Sequence, residues 1–408
     1  MTYIVSFEIE GLAGRPGKLQ KSLHRKTNIF WGLNGSGKTT LLKILAAALR
    51  NDASELQSLP FQSATVRFHS ERMNRDVVRS YSKRSVKRVA RRSKSIQRNR
   101  LQQEMLLSDE WAVEDPDDSI DNGSWTTIIL GEPLEESETF ATRFAHSFLP
   151  IARIVAPDRD RGQTWVDLTP DERFVRQVNS VWSRYNSYSL AEIRDVQQFG
   201  LAEILAILFG GRSSTAFSID APSEPLSLSD PEIDSKQAWQ LVSNFLRAQN
   251  LYLPLGRKDF VQRYDEREEN RRVVSRIEEI ARQVDEILAP QRELQSVIED
   301  MYIGDKHLEL KGTAQRPVGA IEVQVGSEAI PLTSLSSGER QLLHILLETL
   351  AVRESTIMVD EPELSLHVEW QTRLVHSMRR INADAQFLLA THSPELMVDV
   401  DPDCVFEL

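Results

Sequence analysis

Residues 32–40 read Gly32-Leu33-Asn34-Gly35-Ser36-Gly37-Lys38-Thr39-Thr40 and fill every fixed position of the pattern G-x-x-x-x-G-K-[ST]. Each residue type has a task. Glycines let the backbone turn tightly enough for successive N–H groups to point at a phosphate. Lys38 reaches the β- and γ-phosphates as a point charge, and the Thr39 hydroxyl suits Mg²⁺, which prefers oxygen ligands. Gly32, Asn34, Gly35, Ser36, Gly37, Lys38, Thr39 and Thr40 are therefore the candidate contacts to a nucleotide.

A second group lies three hundred residues on. Leu335-Ser336-Ser337-Gly338-Glu339-Arg340-Gln341 opens a helical run. Serine hydroxyls and a glycine backbone at a helix N-terminus make an anion site, with Ser336, Ser337, Gly338 and Glu339 as its members. The apolar run Thr356-Ile357-Met358-Val359 then ends in Asp360-Glu361. Because neighbouring strand residues point opposite ways, one carboxylate can serve a metal while the next addresses water. Asp360 is the metal-side candidate with Thr39, and Glu361 the candidate general base. Gln386-Phe387-Leu388-Leu389-Ala390-Thr391 delivers His392 to a strand end, where α/β proteins place ligands; it is the candidate contact to a γ-phosphate.

These residues need strands that end together and helices that start there. Thr27-Asn28-Ile29-Phe30-Trp31 reads as a buried strand and Thr40–Leu49 as the helix after the loop. Tyr3–Gly11 alternates as a strand and is expected to share a sheet with Thr27–Trp31. Phe61–His69 and Leu149–Pro157 read as further strands; after the latter, Gln163 is a weak candidate for a second γ-phosphate contact. Asp171–Gly211 and Asp234–Ala248 read as helices, with a Ser-, Pro- and Asp-rich connection at 212–234. Val261–Met301 is the longest helical tract. Its apolar spacing alternates three and four, and Pro290 is expected to divide it into two short antiparallel or kinked helices. Leu308–Leu310 and Ile321–Val325 read as strands.

The chain of 408 residues is 40% hydrophobic, enough for a sizeable core. Its net charge of −11 argues against a uniformly basic nucleic-acid coat. One stretch runs the other way: residues 79–103 contain no acid, while 83–100 carry nine basic residues, from Lys83 to Arg100. An acidic block follows at 109–121. The basic run is either a surface for DNA phosphates or a solvated insertion whose charge blocks pair. A single cysteine, Cys404, suits a reducing compartment. There is no secretory pattern at the N-terminus and no apolar run of membrane-spanning length, so a cytoplasmic protein without membrane contact is expected.

GLNGSGKTT at 32–40, LSSGERQ at 335–341, IMVDEPELSLH at 357–367 and ATHSPEL at 390–396 together resemble the ABC-class ATPases, within the branch of SMC, RecF and OLD-like proteins. LSSGE departs from the transporter form LSGGQ at Ser337 and Glu339. The resemblance implies an α/β fold: an ABC-type P-loop ATPase head with a mainly helical insertion between the Walker A and signature motifs. The head would comprise 1–70, 149–170 and 306–408, with a charged insertion at 71–148 and a helical insertion at 171–305. It also implies ATP with Mg²⁺ and a head-to-tail homodimer, or higher even oligomer, in which Ser336 and Gly338 complete the partner's nucleotide site. Ser365 and His367 would line the seam. With no nuclease domain in the sequence, the resemblance points to a separate effector or nuclease, as in bacterial anti-phage systems. The alternative is a DNA-repair or chromosome-handling ATPase using residues 83–100. A transporter subunit is disfavoured by the signature.

Overall fold

The computed structural model describes residues 2–71, 73–83, 124–130, 146–149, 168–208, 234–248, 251–252, 254–302, 306–310, 321–353 and 355–408. Its elements in chain order begin with β1 (Thr2–Glu10), β2 (Lys18–Ser22), β3 (Thr27–Trp31), α1 (Lys38–Arg50), β4 (Ser63–Ser70), β5 (Arg75–Ser82), β6 (Thr126–Ile129) and β7 (His146–Leu149). Then come α2 (Pro170–Leu208), α3 (Ser235–Ala248), α4 (Arg257–Glu266), α5 (Glu268–Met301), β8 (Lys306–Leu310), β9 (Ile321–Val325) and β10 (Glu328–Ile330). The last are α6 (Ser337–Ala351), β11 (Thr356–Asp360), α7 (Val368–Ile381), β12 (Gln386–Thr391) and β13 (Val405–Glu407). The chain divides into two compact units, 1–151 with 354–362 and 385–408, and 152–353 with 363–384.

The first unit holds two sheets. One is parallel, in the order β13-β3-β12-β11-β7. Its inner strands β3, β11 and β12 are buried almost throughout, as expected where both faces of a parallel sheet are covered. The other is antiparallel, in the order β2-β1-β4-β5-β6. There β4 alternates buried with more exposed residues, the mark of a sheet packed on one face. Helix α1 shares a core with both: Leu41, Leu45 and Leu49 join Phe7 and Val66 from one sheet and Met358 and Leu388 from the other. Each such side chain stabilises the unit by roughly 1.5–3 kcal/mol.

Gln386, fully buried at the start of β12, links the two sheets. Its carboxamide accepts from the Ile4 N–H at 2.8 Å and donates to the carbonyls of Ile4 at 2.8 Å and His24 at 2.9 Å. The Thr356 hydroxyl also donates to it, at 3.2 Å.

Two expectations change here. β1 and β3 do not share a sheet: β1 pairs only antiparallel, with β2 and β4, whereas β3 lies between β12 and β13. The alternation of β1 suits a one-sided sheet, and the uninterrupted apolar run of β3 suits the two-sided one. The antiparallel sheet also takes in β5 and β6, from the span read as a charged insertion. Of the strand expected at 149–157 only Leu149 is described, as the last residue of β7; residues 150–157, Gln163, the run 84–100 and the acidic block 109–121 lie outside the described residues.

The second unit contains α2 to α7 and the antiparallel sheet β10-β9-β8. Helix α5 continues through Pro290 for 34 residues instead of splitting. Proline removes a single N–H, and packing on both sides of it outweighs that cost. Before Pro290, Ile280 meets Gly200 of α2 so closely that a Cβ there would lie 2.2 Å from Ile280 Cδ1. After it, Leu294, Val297, Ile298 and Met301 are buried. Arg380 of α7 also bonds Glu293 at 3.0 Å and Asp300 at 3.2 Å. Residues 209–233, which include most of the expected 212–234 connection, lie outside the described residues.

Candidate functional site

Strand register builds the first half of the site. Asp360 of β11 is level with Ala390 of β12, and Ala390 with Phe30 of β3. One residue further, Thr391 pairs with Trp31. Three adjacent parallel strands thus end within one residue of one another, and the next residues are Glu361, His392 and Gly32. All belong to the first unit.

The loop from Gly32 leads into α1 through two left-handed glycines, Gly35 at φ 80° and Gly37 at φ 104°. These conformations suit glycine, and they lead directly into the first turn of α1, where a helix's N–H groups lack intrahelical partners. A Cβ at Gly37 would lie 3.0 Å from Leu12 Cγ, so the β1–β2 connection closes one side of the loop. The Ser36 hydroxyl is buried and has no hydrogen-bond partner among the described residues. Thr39 and Thr40, on the first turn of α1, are half-buried; Asn34 is exposed.

Lys38 is only 5% exposed. Its ammonium donates to the carbonyls of Gly32 at 2.7 Å and Leu33 at 3.2 Å, and lies 3.5 Å from Glu361 Oε1. The other carboxylate oxygen of Glu361 bonds His392 Nδ1. Glu361 has φ +50°, a region non-glycine residues seldom adopt. Its N–H donates to Ala390 O at 2.8 Å, which holds the strained turn in place. Strand alternation therefore stops at Asp360, and it is this left-handed turn that carries the Glu361 carboxylate to Lys38 and His392. Asp360, 1% exposed, remains within β11.

The residues fit a magnesium nucleotide. The loop offers backbone donors, a buried cation and an orphaned hydroxyl at a helix start. Thr39 and Asp360 bear hard oxygen atoms of the kind Mg²⁺ takes.

In the second unit, the serine-rich turn starts α6. Ser336 is its N-cap, Ser337 its first residue, and the capping box is complete: Glu339 N–H donates to Ser336 Oγ at 3.3 Å and Ser336 N–H to Glu339 Oε2 at 2.7 Å. Gly338 is required by crowding, since a Cβ would lie 2.5 Å from Ser365 O. Ser365 itself is left-handed, at φ 63°, and His367 caps α7 by accepting from Glu369 N–H at 3.4 Å. Glu339, counted from the sequence among the nucleotide contacts, has its carboxylate turned to Ser336 and to Lys306, at 2.8 and 3.1 Å. Burial opposes its ionisation, but the Lys306 ammonium and the Ser336 donors prevail and hold it below the usual carboxylate range. Arg340 straps the turn from its other side, bonding Leu335 O at 2.8 Å, Thr333 O, and Asp171 at 2.6 Å.

Sequence reasoning missed Lys306, Tyr302 and Gln386. A signal existed for Lys306: it shares a strand face with Leu308 and Leu310, an unusual place for a charge. For the basic run only its first member is described. Lys83 is engaged, its ammonium donating to Gln57 O at 2.9 Å and to Leu59 O.

The family described as "AAA domain, putative AbiEii toxin, Type IV TA system" matches residues 28–399. Solved structures also align. The Smc head domain with an extended coiled coil from Pyrococcus furiosus, bound to the C-terminal domain of ScpA, is 13% identical with TM-score 0.45, over 97% of this chain and 91% of that one. The Smc head with a coiled coil and joint from Pyrococcus yayanosii gives 13% and 0.43, over 98% and 94%. The SMC head domain from Thermotoga maritima gives 11% and 0.40, over 97% and 90%. Among the described residues, no helix is long and apolar enough to cross a membrane.

Proposed function

The chain belongs to this family of AAA domains, with a P-loop ATPase-type head, and from that premise we propose that it binds and hydrolyses ATP with Mg²⁺ as a nucleotide-switched homodimer. The observation that carries the proposal is the convergence of Lys38, Glu361 and His392 where three adjacent parallel strands end. Thr39 and Asp360 would hold Mg²⁺, which, when bound, neutralises phosphate charge. Lys38 moves from the carbonyls of Gly32 and Leu33 to the incoming phosphates, and Glu361 loses that partner. Glu361 then accepts a proton from the attacking water as oxygen bonds the γ-phosphorus and the bond to ADP breaks. His392 orients Glu361 and contacts the γ-phosphate. Ser336 and Gly338 of a second copy complete the site, so that ATP closes the pair and hydrolysis opens it.

The output is a change of shape, which fits a sensor and scaffold acting on a separate effector, such as a nuclease in an anti-phage system. Glu361→Gln tests the core of the reading. It should keep ATP binding, lose turnover by about 10²- to 10⁴-fold, and hold an ATP-bound dimer visible by light scattering. A monomer in saturating ATP would refute the sandwich.

A second reading rests on the nine basic residues of 83–100: a DNA-handling ATPase. Glutamine replacements across that run should weaken DNA binding and flatten its salt dependence. Unchanged binding removes the run from the account.

A further inference from the structure

The signature turn presents an electrostatic problem. A helix N-terminus with two serines and a glycine suits an anion, yet Glu339 places a carboxylate in its first turn, 2.7 Å from the Ser336 N–H. An ionised carboxylate there competes with, and repels, the phosphate the turn would receive. Lys306 offsets this. Its ammonium contacts both oxygens of Glu339, at 2.8 and 3.1 Å, and Glu339 is only 9% exposed. The neighbourhood fixes the pair. The Tyr302 hydroxyl, beyond the end of α5, donates to Glu339 O at 2.8 Å, and the Tyr302 ring stacks on Trp370 at 6.1 Å. Lys306 stands in the strand that follows.

We propose that Lys306 is a positioning residue of the nucleotide site: the counter-ion that lets Glu339 hold the signature turn without repelling the γ-phosphate of the partner's ATP. This rests on the sandwich reading above. The carboxylate is used for its geometry, as acceptor for Ser336 N–H, and its charge is cancelled locally. A neutral acceptor at 339 would need no counter-ion. The pair therefore has a signature that a purely structural ion pair lacks: removing the lysine should harm, and removing the glutamate's charge as well should repair.

The test is made in the Glu361→Gln chain, reading ATP-driven dimerisation by light scattering. Lys306→Met should raise the ATP concentration needed for the dimer by about tenfold, the size of a lost charge-assisted hydrogen bond. Lys306→Arg should keep the parent value. Lys306→Met with Glu339→Gln should recover most of the loss, because Gln retains an acceptor for Ser336 N–H and carries no charge. ATP affinity of the monomer, set by the first unit, and the melting temperature separate this effect from misfolding. Hydrogen exchange at the Ser336 amide reads the turn without dimerisation. It should stay protected in Lys306→Met, where Glu339 still accepts, and lose protection in Glu339→Ala.

Lys306→Met dimerising like its parent, or a double variant no better than Lys306→Met, would overturn the proposal. A parent that stays monomeric in ATP would instead refute the sandwich itself, and a Ser336 amide unaffected by Glu339→Ala would independently refute the Glu339 carboxylate as the group that holds the turn.

Discussion

The Lys38 ammonium stands 3.5 Å from Glu361 Oε1, so the cation of the phosphate loop and the candidate base neutralise each other in a nearly dry site. Neither could stay charged and buried there alone without a penalty of several kcal/mol. Phosphates would replace Glu361 as the partner of Lys38 and release a carboxylate to act on water. Coupling the base to occupancy in this way limits its exposure when no triphosphate is present.

Lys38→Ala should abolish measurable ATP binding in calorimetry. It removes the one buried cation of the loop and leaves the Glu361 carboxylate without its counter-charge, so a modest loss of thermal stability should accompany it. Affinity within threefold of the parent would refute the assignment of the loop.

His392→Ala should leave ATP affinity nearly intact while lowering kcat about 10²-fold or more, since the ring orients the base and meets only the γ-phosphate, while the loop and Lys38 anchor the nucleotide. Steady-state kinetics with a separate binding measurement distinguishes this from a loss of affinity.

Gln386→Leu should destabilise the first unit by about 2–4 kcal/mol, because the Ile4 N–H and C=O and the His24 carbonyl lose a buried partner. Urea unfolding reads this directly. The same substitution at an exposed glutamine should cost almost nothing.

Acid should loosen the signature turn. The folded Glu339 carboxyl takes its proton at lower pH than in the unfolded chain. Its stabilisation is therefore complete above the ordinary glutamate range and is lost as pH falls through the lower, folded value. Melting temperatures from pH 7 down to 3 should fall more steeply for the parent than for Glu339→Gln.

Much of the site was legible because its chemistry is local. The phosphate loop, the carboxylates and His392 each end a short apolar run, and β3, β11 and β12 follow from those runs. What stayed hidden depends on distance or on backbone strain. Nothing in the neighbours of Glu361 announces φ +50°; the turn is held by Ala390, from another strand. Lys306 reaches Glu339 across 33 positions, and that contact is visible only in the folded chain. Pro290 misled for a related reason: a local rule predicts a break, and packing by α2 and α7, remote in sequence, keeps α5 whole.

The pairing of β3 has a consequence for biosynthesis. Both neighbours of this strand, β12 and β13, come from residues 386–407, while β3 itself spans Thr27–Trp31. A nascent chain thus carries its phosphate loop without either strand that flanks β3 until residues 386–407 have been made. Such long-range closure is slow, and it leaves an apolar segment exposed in the meantime. ATP cannot be gripped by a half-made copy, and chaperone demand during synthesis should be highest for this strand.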